Sequence, residues 1–129
     1  VTIDPNPEYP ARIWLDKQCT QVGLAMTRSI GDLLLKPKGV IATPVITRHT
    51  MAPQDQFLIV ATDGVWEFIS SQEAVEIIYD CLFHHKMNVH QACQRLIDVA
   101  KQRWKEEEGN YRDDITAIVL DLRNNNLII

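Results

Sequence analysis

Cysteine is scarce in this chain. Three residues in 129, Cys19, Cys81 and Cys93, make an odd number and form no C-x-x-C pair. A disulfide framework is therefore excluded as the source of stability, and a reducing intracellular compartment, cytoplasmic or nuclear, is expected. Long apolar runs are also missing. The strongest is Phe57-Leu58-Ile59-Val60-Ala61, far short of the roughly 20 residues that span a bilayer, so no membrane span is expected. Positive charge is in deficit, with 13 Lys and Arg against 17 Asp and Glu and a net charge of −4. That leaves no electrostatic footprint for phosphate backbones or anionic lipid, and nucleic-acid partners are not expected. The chain opens on Val1 with no basic segment and no apolar signal-like stretch, so it is expected to begin inside a longer polypeptide.

What is present is an ordinary globular balance, 46% hydrophobic and 23% charged, at a length typical of one domain. One compact unit is expected. Residues 1–11 hold Pro5, Pro7 and Pro10 and read as an irregular lead-in. Arg12–Leu15 and Val22–Ile30 read as strands, Lys36-Pro37-Lys38-Gly39 as a turn, and Val40–Thr50, rich in β-branched residues, as a further strand. Phe57–Thr62 is apolar on both faces, which predicts a fully buried central strand closed by Asp63-Gly64. Ser70-Ser71-Gln72-Glu73 has the form of a capping box, and apolar residues follow at helical spacing from 74 to 82. Asn88–Gln91 repeats the pattern ahead of a second helix that ends at Gly109-Asn110. Ile115–Leu122 reads as a last strand, with residues 123–129 as a tail.

The informative feature is where the acids stand. Asp63 follows one strand, and Asp113 and Asp114 precede the other, fifty residues on. If the two strands are antiparallel neighbours, these acids meet at one end, about 5 Å apart across the ladder. Carboxylates that close repel unless a cation intervenes, and an all-oxygen cluster suits Mg²⁺ or Mn²⁺. The plainer reading is a turn at Asp63-Gly64 and a solvated strand entrance at Asp113-Asp114. Spacing alone leaves both open.

Three ordered segments change that weighting: Gly23-Leu24-Ala25-Met26-Thr27-Arg28-Ser29-Ile30-Gly31-Asp32, then Ala61-Thr62-Asp63-Gly64-Val65-Trp66-Glu67-Phe68-Ile69-Ser70, then Arg112-Asp113-Asp114-Ile115-Thr116. From about Arg12 to Leu122 the chain resembles the metal-dependent protein phosphatases of type 2C. The resemblance implies an α+β fold, the C-terminal part of an α-β-β-α sandwich with antiparallel sheets and flanking helices. It implies that residues 1–129 are the C-terminal portion of one catalytic domain, with Asp63 and Asp113 as metal ligands. Asp114 stands where the family's final signature has asparagine, adding a charge beside the ligand. Glu67 stands where many members carry aspartate, so it and Asp114 are candidates for an additional metal or its surroundings. The family hydrolyses phosphoserine and phosphothreonine in protein substrates through a water activated by two or more Mg²⁺ or Mn²⁺ ions.

The family's earlier Asp-Gly-His motif and phosphate-gripping arginine have no counterpart here, since Asp63-Gly64 is the sole Asp-Gly. The chain alone is therefore expected to be inactive, and edges left by the missing half favour dimerisation. The alternative is a catalytically dead regulatory or interaction domain on the same scaffold. Four further readings follow. Ala61 stands where an aspartyl-phosphate enzyme needs its nucleophile. Cys81, His84, His90 and Cys93 have zinc-like spacing, but the cysteines fall on apolar helix faces. Arg28 is expected to pair with Asp32, and Trp66 to anchor the following helix in the core.

Overall fold

Ser70 and Asn88 start the two main helices as the sequence predicts. In the computed structural model, which describes residues 11–123, helix α1 is the short Asp63–Trp66, α2 is Ser71–Tyr79 and α3 is Val89–Glu108. Ser70 is extended, and its hydroxyl oxygen accepts from the Glu73 amide at 3.1 Å. The return half of that box is not made, because the Glu73 carboxylate accepts from Arg103 Nη2 of α3 at 2.8 Å instead. At α3 the box is complete: Asn88 Oδ1 accepts from the Gln91 amide at 2.9 Å, and Gln91 Oε1 from the Asn88 amide at 3.0 Å. Gly109, at φ 64°, stops α3 in a conformation that costs a side-chain-bearing residue more. Between α2 and α3, Asp80–His84 form one π-helical turn.

Contacts divide the chain into two units, Val1–His49 and Thr50–Ile129, where one was expected. In the second unit, strand β3 (Phe57–Ala61) pairs antiparallel with β4 (Ala117–Asp121), with Phe57 opposite Asp121 and Ala61 opposite Ala117. Their inner side chains, Phe57, Ile59, Ala61, Ala117 and Val119, pack on a core of Val65, Ile78, Leu96 and Ala100 from the helices and Ile69 from the bend between α1 and α2. Burying each of the larger aliphatics contributes about 1.5–3 kcal/mol. The outer face differs from the sequence expectation. Leu58, Val60, Ile118 and Leu120 remain 37–55% exposed, so β3 is half-buried rather than central. Two strands packed on helices bury one face, and a second covering layer is absent among the described residues.

In the first unit, strands β1 (Ile13–Trp14) and β2 (Gly23–Leu24) form a short antiparallel pair. The Asp16 carboxylate closes the connection by accepting from Thr20 N, Thr20 Oγ1 and Gln21 N. Ile13, Leu35 and Val40 make a small core. The strand predicted over Val22–Ile30 shrinks to two residues because its partner offers only two. Val40–Thr50 forms no strand. Its one ladder contact is an isolated parallel bridge between Arg28 and Ile41, and β-branched residues without a neighbouring strand have nothing to pack against. The turn predicted at Lys36–Gly39 is the end of a 3-10 helix, Leu33–Lys38. The Arg28 guanidinium donates to the Thr43 carbonyl at 2.5 Å instead of meeting Asp32. The fold is α+β, with helices and small antiparallel sheets. Most of the irregular lead-in and of the tail lie outside the described residues.

Two outcomes test these contacts. Asn88→Ala removes the α3 cap and should lower stability by about 1 kcal/mol in urea denaturation. Asp121 accepts from Arg123 Nη2 at 2.6 Å and from Nε at 2.8 Å, and this pairing holds its pKa below the usual 3.8. A depressed carboxylate stabilises the fold above its unfolded pKa and loses that contribution as pH falls through the folded value. The stability gap between the natural chain and Asp121→Asn should therefore be present at neutral pH and close below about pH 4, as read from urea midpoints across pH.

Candidate metal centre

The β3–β4 register carries the candidate acids to one place. Continued beyond Ala61 and Ala117, it sets Thr62 against Thr116, and the Thr62 amide donates to the Thr116 carbonyl at 3.0 Å. The Thr62 hydroxyl adds two bonds, accepting from the Thr116 amide at 3.1 Å and donating to the Asp114 carbonyl at 3.2 Å. Two residues further, Gly64 lies against the backbone of Asp114. A Cβ on Gly64 would stand 2.2 Å from the Asp114 carbonyl oxygen. Asp63, the first residue of α1, and Asp113, just before Asp114, thus occupy the same end of the ladder.

This rim is open to solvent. Asp63 and Asp114 are exposed and Asp113 is half-buried. Asp113 Oδ1 accepts from the Asp114 amide at 2.7 Å, which orders that carboxylate. Glu67 is exposed one helical turn after Asp63, and its amide donates to the Asp63 carbonyl at 2.9 Å. The donor set is hard carboxylate oxygen throughout, the chemistry that suits Mg²⁺ or Mn²⁺. It is also incomplete. Among the described residues there is no group of three or more His, Cys, Asp or Glu that could hold an ion, whereas Mg²⁺ demands six oxygens. Asp63 and Asp113 fit as part of a cage and not as the whole of one.

Two residues that the sequence did not single out position this rim. Thr62 is one, through the three bonds above; its sequence signal is a hydroxyl placed between the strand and Asp63. Trp104 is the other. It is buried near the end of α3 and donates its indole N–H to the Gly64 carbonyl at 2.7 Å, with Phe68 edge-on at 4.7 Å. A buried tryptophan needs such an acceptor. Trp66 is structural, donating to the Ala61 carbonyl at 2.9 Å. The zinc-like quartet is not assembled. Cys81 is buried in the core, Cys93 Sγ donates to the Ala117 carbonyl, and His84 Nδ1 lies 2.8 Å from Asp80.

The family model for protein phosphatase 2C matches residues 11–109, an interval that takes in Asp63 and Glu67 and stops before Asp113. The chain is 40% identical over 114 residues to "Probable protein phosphatase 2C 72" of Arabidopsis thaliana, covering 88% of this chain and 33% of that protein. It is 38% identical over 117 residues to "Probable protein phosphatase 2C 12" of Oryza sativa subsp. japonica, covering 90% and 28%. A second rice relative, "Probable protein phosphatase 2C 75", is 35% identical over 109 residues, covering 84% and 24%. The class is a protein phosphatase scaffold. The chain belongs to the protein phosphatase 2C family, and it spans a third or less of the length of these relatives.

Gly64→Ala tests the rim directly. The new methyl meets the backbone of the segment leading into β4, which no rotamer change relieves, so a loss of about 1–3 kcal/mol is expected in urea denaturation. Thr62→Val, which keeps shape and removes the exposed hydroxyl bonds, should also destabilise, by about 0.5–1.5 kcal/mol.

Proposed function

We propose that this chain is the C-terminal portion, residues 1–129, of the catalytic domain of a metal-dependent serine/threonine protein phosphatase. The observation that carries the reading is the β3–β4 register, which brings Asp63 and Asp113 to one rim across fifty residues of sequence. Asp63 and Asp113 would hold Mg²⁺ or Mn²⁺ together with acids from elsewhere in the domain, and Glu67 and Asp114 would serve an additional ion or orient its ligands. When bound, the ions supply an acidified water for attack on phosphorus and positive charge for the phosphoryl oxygens. This chain's own residues fix where that happens. Thr62 locks the two strands in register, Gly64 permits the close approach of the start of α1 to the backbone of Asp114, and the Asp114 amide orients the Asp113 carboxylate.

Phosphoproteins carrying phosphoserine or phosphothreonine are the substrates in this reading. The outward Leu58–Leu120 and Val60–Ile118 pairs support a second sheet layer over β3 and β4, completing an α-β-β-α sandwich. Failing that layer, the same face would favour dimerisation of the chain. The thiols of Cys81 and Cys93, whose pKa values burial raises, suit a reducing compartment inside the cell.

The second reading is a regulatory or interaction domain without catalysis. It is favoured by one observation, the lack of a complete donor cage among the described residues. An Asp-Gly-His motif and an arginine in the preceding sequence of the whole protein would support the enzyme, and their absence the binding module.

Three measurements test the proposal. In the whole protein, Asp63→Ala and Asp113→Ala should each reduce Mn²⁺-dependent hydrolysis of a phosphopeptide by more than about a hundredfold. Activity retained in either variant removes that residue from the ligand set. The purified 129-residue chain should show no manganese-dependent turnover, and clear turnover would refute its incompleteness.

A further inference from the structure

The second half of the chain is its acidic half. Residues 65–129 carry seven Lys and Arg against eleven Asp and Glu. Three of those seven cations nevertheless line one cleft. The last turns of α3 contribute Lys101, Gln102 and Lys105, and the segment that follows contributes Tyr111 and Arg112, around a volume of 630 Å³. No carboxylate lines it among the described residues. Lys101 Nζ reaches Asp98 at 3.2 Å, an exposed pair worth little in water. Lys105 and Arg112 are exposed and make no ion pair among the described residues.

The wall of this cleft is fixed to the acid rim. Tyr111, 64% exposed, packs edge-on against Trp104 with ring centroids 5.8 Å apart, and Trp104 is bonded to the Gly64 carbonyl beside Asp63. In sequence, Arg112 directly precedes Asp113. Clustered cations attract carboxylates, and a tyrosine face gives an extended peptide a surface to lie on at little entropic cost. The alternative assignment for Lys101 and Lys105 is to offset the negative end of the α3 dipole. That accounts for neither Arg112 nor the exposed Tyr111.

We propose that this cleft docks an acidic segment of the protein substrate, flanking the phosphorylated residue. The assignment deepens the phosphatase reading and rests on it for the identity of the partner. Binding itself can be measured without turnover. A fluorescein-labelled peptide with a run of four glutamates should bind the 129-residue chain by anisotropy, more weakly as salt rises. A peptide with glutamine at the same positions should bind roughly tenfold less tightly. Lys101→Ala combined with Lys105→Ala, two exposed helical positions where alanine is a good helix former, should remove that preference. Equal affinity for the two peptides, or a preference that survives the double variant, overturns the assignment.

In the whole protein the same double variant should leave turnover of para-nitrophenyl phosphate unchanged. It should lower kcat/KM for an acid-flanked phosphopeptide roughly tenfold, toward that of a glutamine-flanked one. If para-nitrophenyl phosphate is not hydrolysed at all, the phosphatase reading fails and the substrate role assigned to the cleft fails with it, whatever the anisotropy shows for acidic peptide. If para-nitrophenyl phosphate is hydrolysed but flanking acids make no difference to turnover, docking fails and the phosphatase reading stands.

Discussion

The pairing of β3 with β4 is the constraint on which the candidate site depends. An antiparallel ladder joins the exit of one strand to the entrance of the other, so residues fifty apart in the chain become neighbours without any residue between them taking part. A slip of one residue would turn every inner side chain outward and uncouple Asp63 from Asp113. The register is therefore held at several levels. Alternating apolar side chains face the helices, Thr62 adds side-chain bonds at the ladder's end, and Gly64 lacks the Cβ that would push the start of α1 off the segment leading into β4.

The helices serve the same rim from behind. α3 is the longest element and gives Leu96, Ala100 and Trp104 to the core. At its far end, Trp104 bonds the Gly64 carbonyl, so the end of α3 and the start of α1 are tied at the point where Asp63 enters. The Glu73–Arg103 contact links α2 to α3 on an exposed flank, where it contributes less than the apolar stripe beneath it. Scaffold and rim are thus one structure in the Thr50–Ile129 unit: the packing that buries the apolar faces also holds the backbone of Asp63 and Asp113 at one end of the ladder.

Much of this was legible beforehand. The helix starts at Ser70 and Asn88 follow from local hydrogen-bonding chemistry, which depends only on residues within one turn, and the structure has both. The acids were legible as a pair because strands flank them, and their convergence needed only the antiparallel arrangement that the structure has. What misled was propensity without a partner. Val40–Thr50 has the residues of a strand but lacks a ladder, and Phe57–Thr62 has the residues of a buried strand but only one covered face. β-propensity describes fitness for a packed surface, and a sequence does not state whether that surface is supplied.

The sequence by itself determined the caps, the apolar stripes, the two acid-bearing strand ends and the protein phosphatase 2C family, because each is written in residues close together or in motifs kept in order. Only the tertiary structure decided that Glu73 turns from its own cap to Arg103, that Thr62 and Trp104 hold the rim, and that three cations of an acidic half face one cleft. Those outcomes depend on which distant groups come within hydrogen-bond or contact range. That range is set by how the elements pack and cannot be read from the order of the residues.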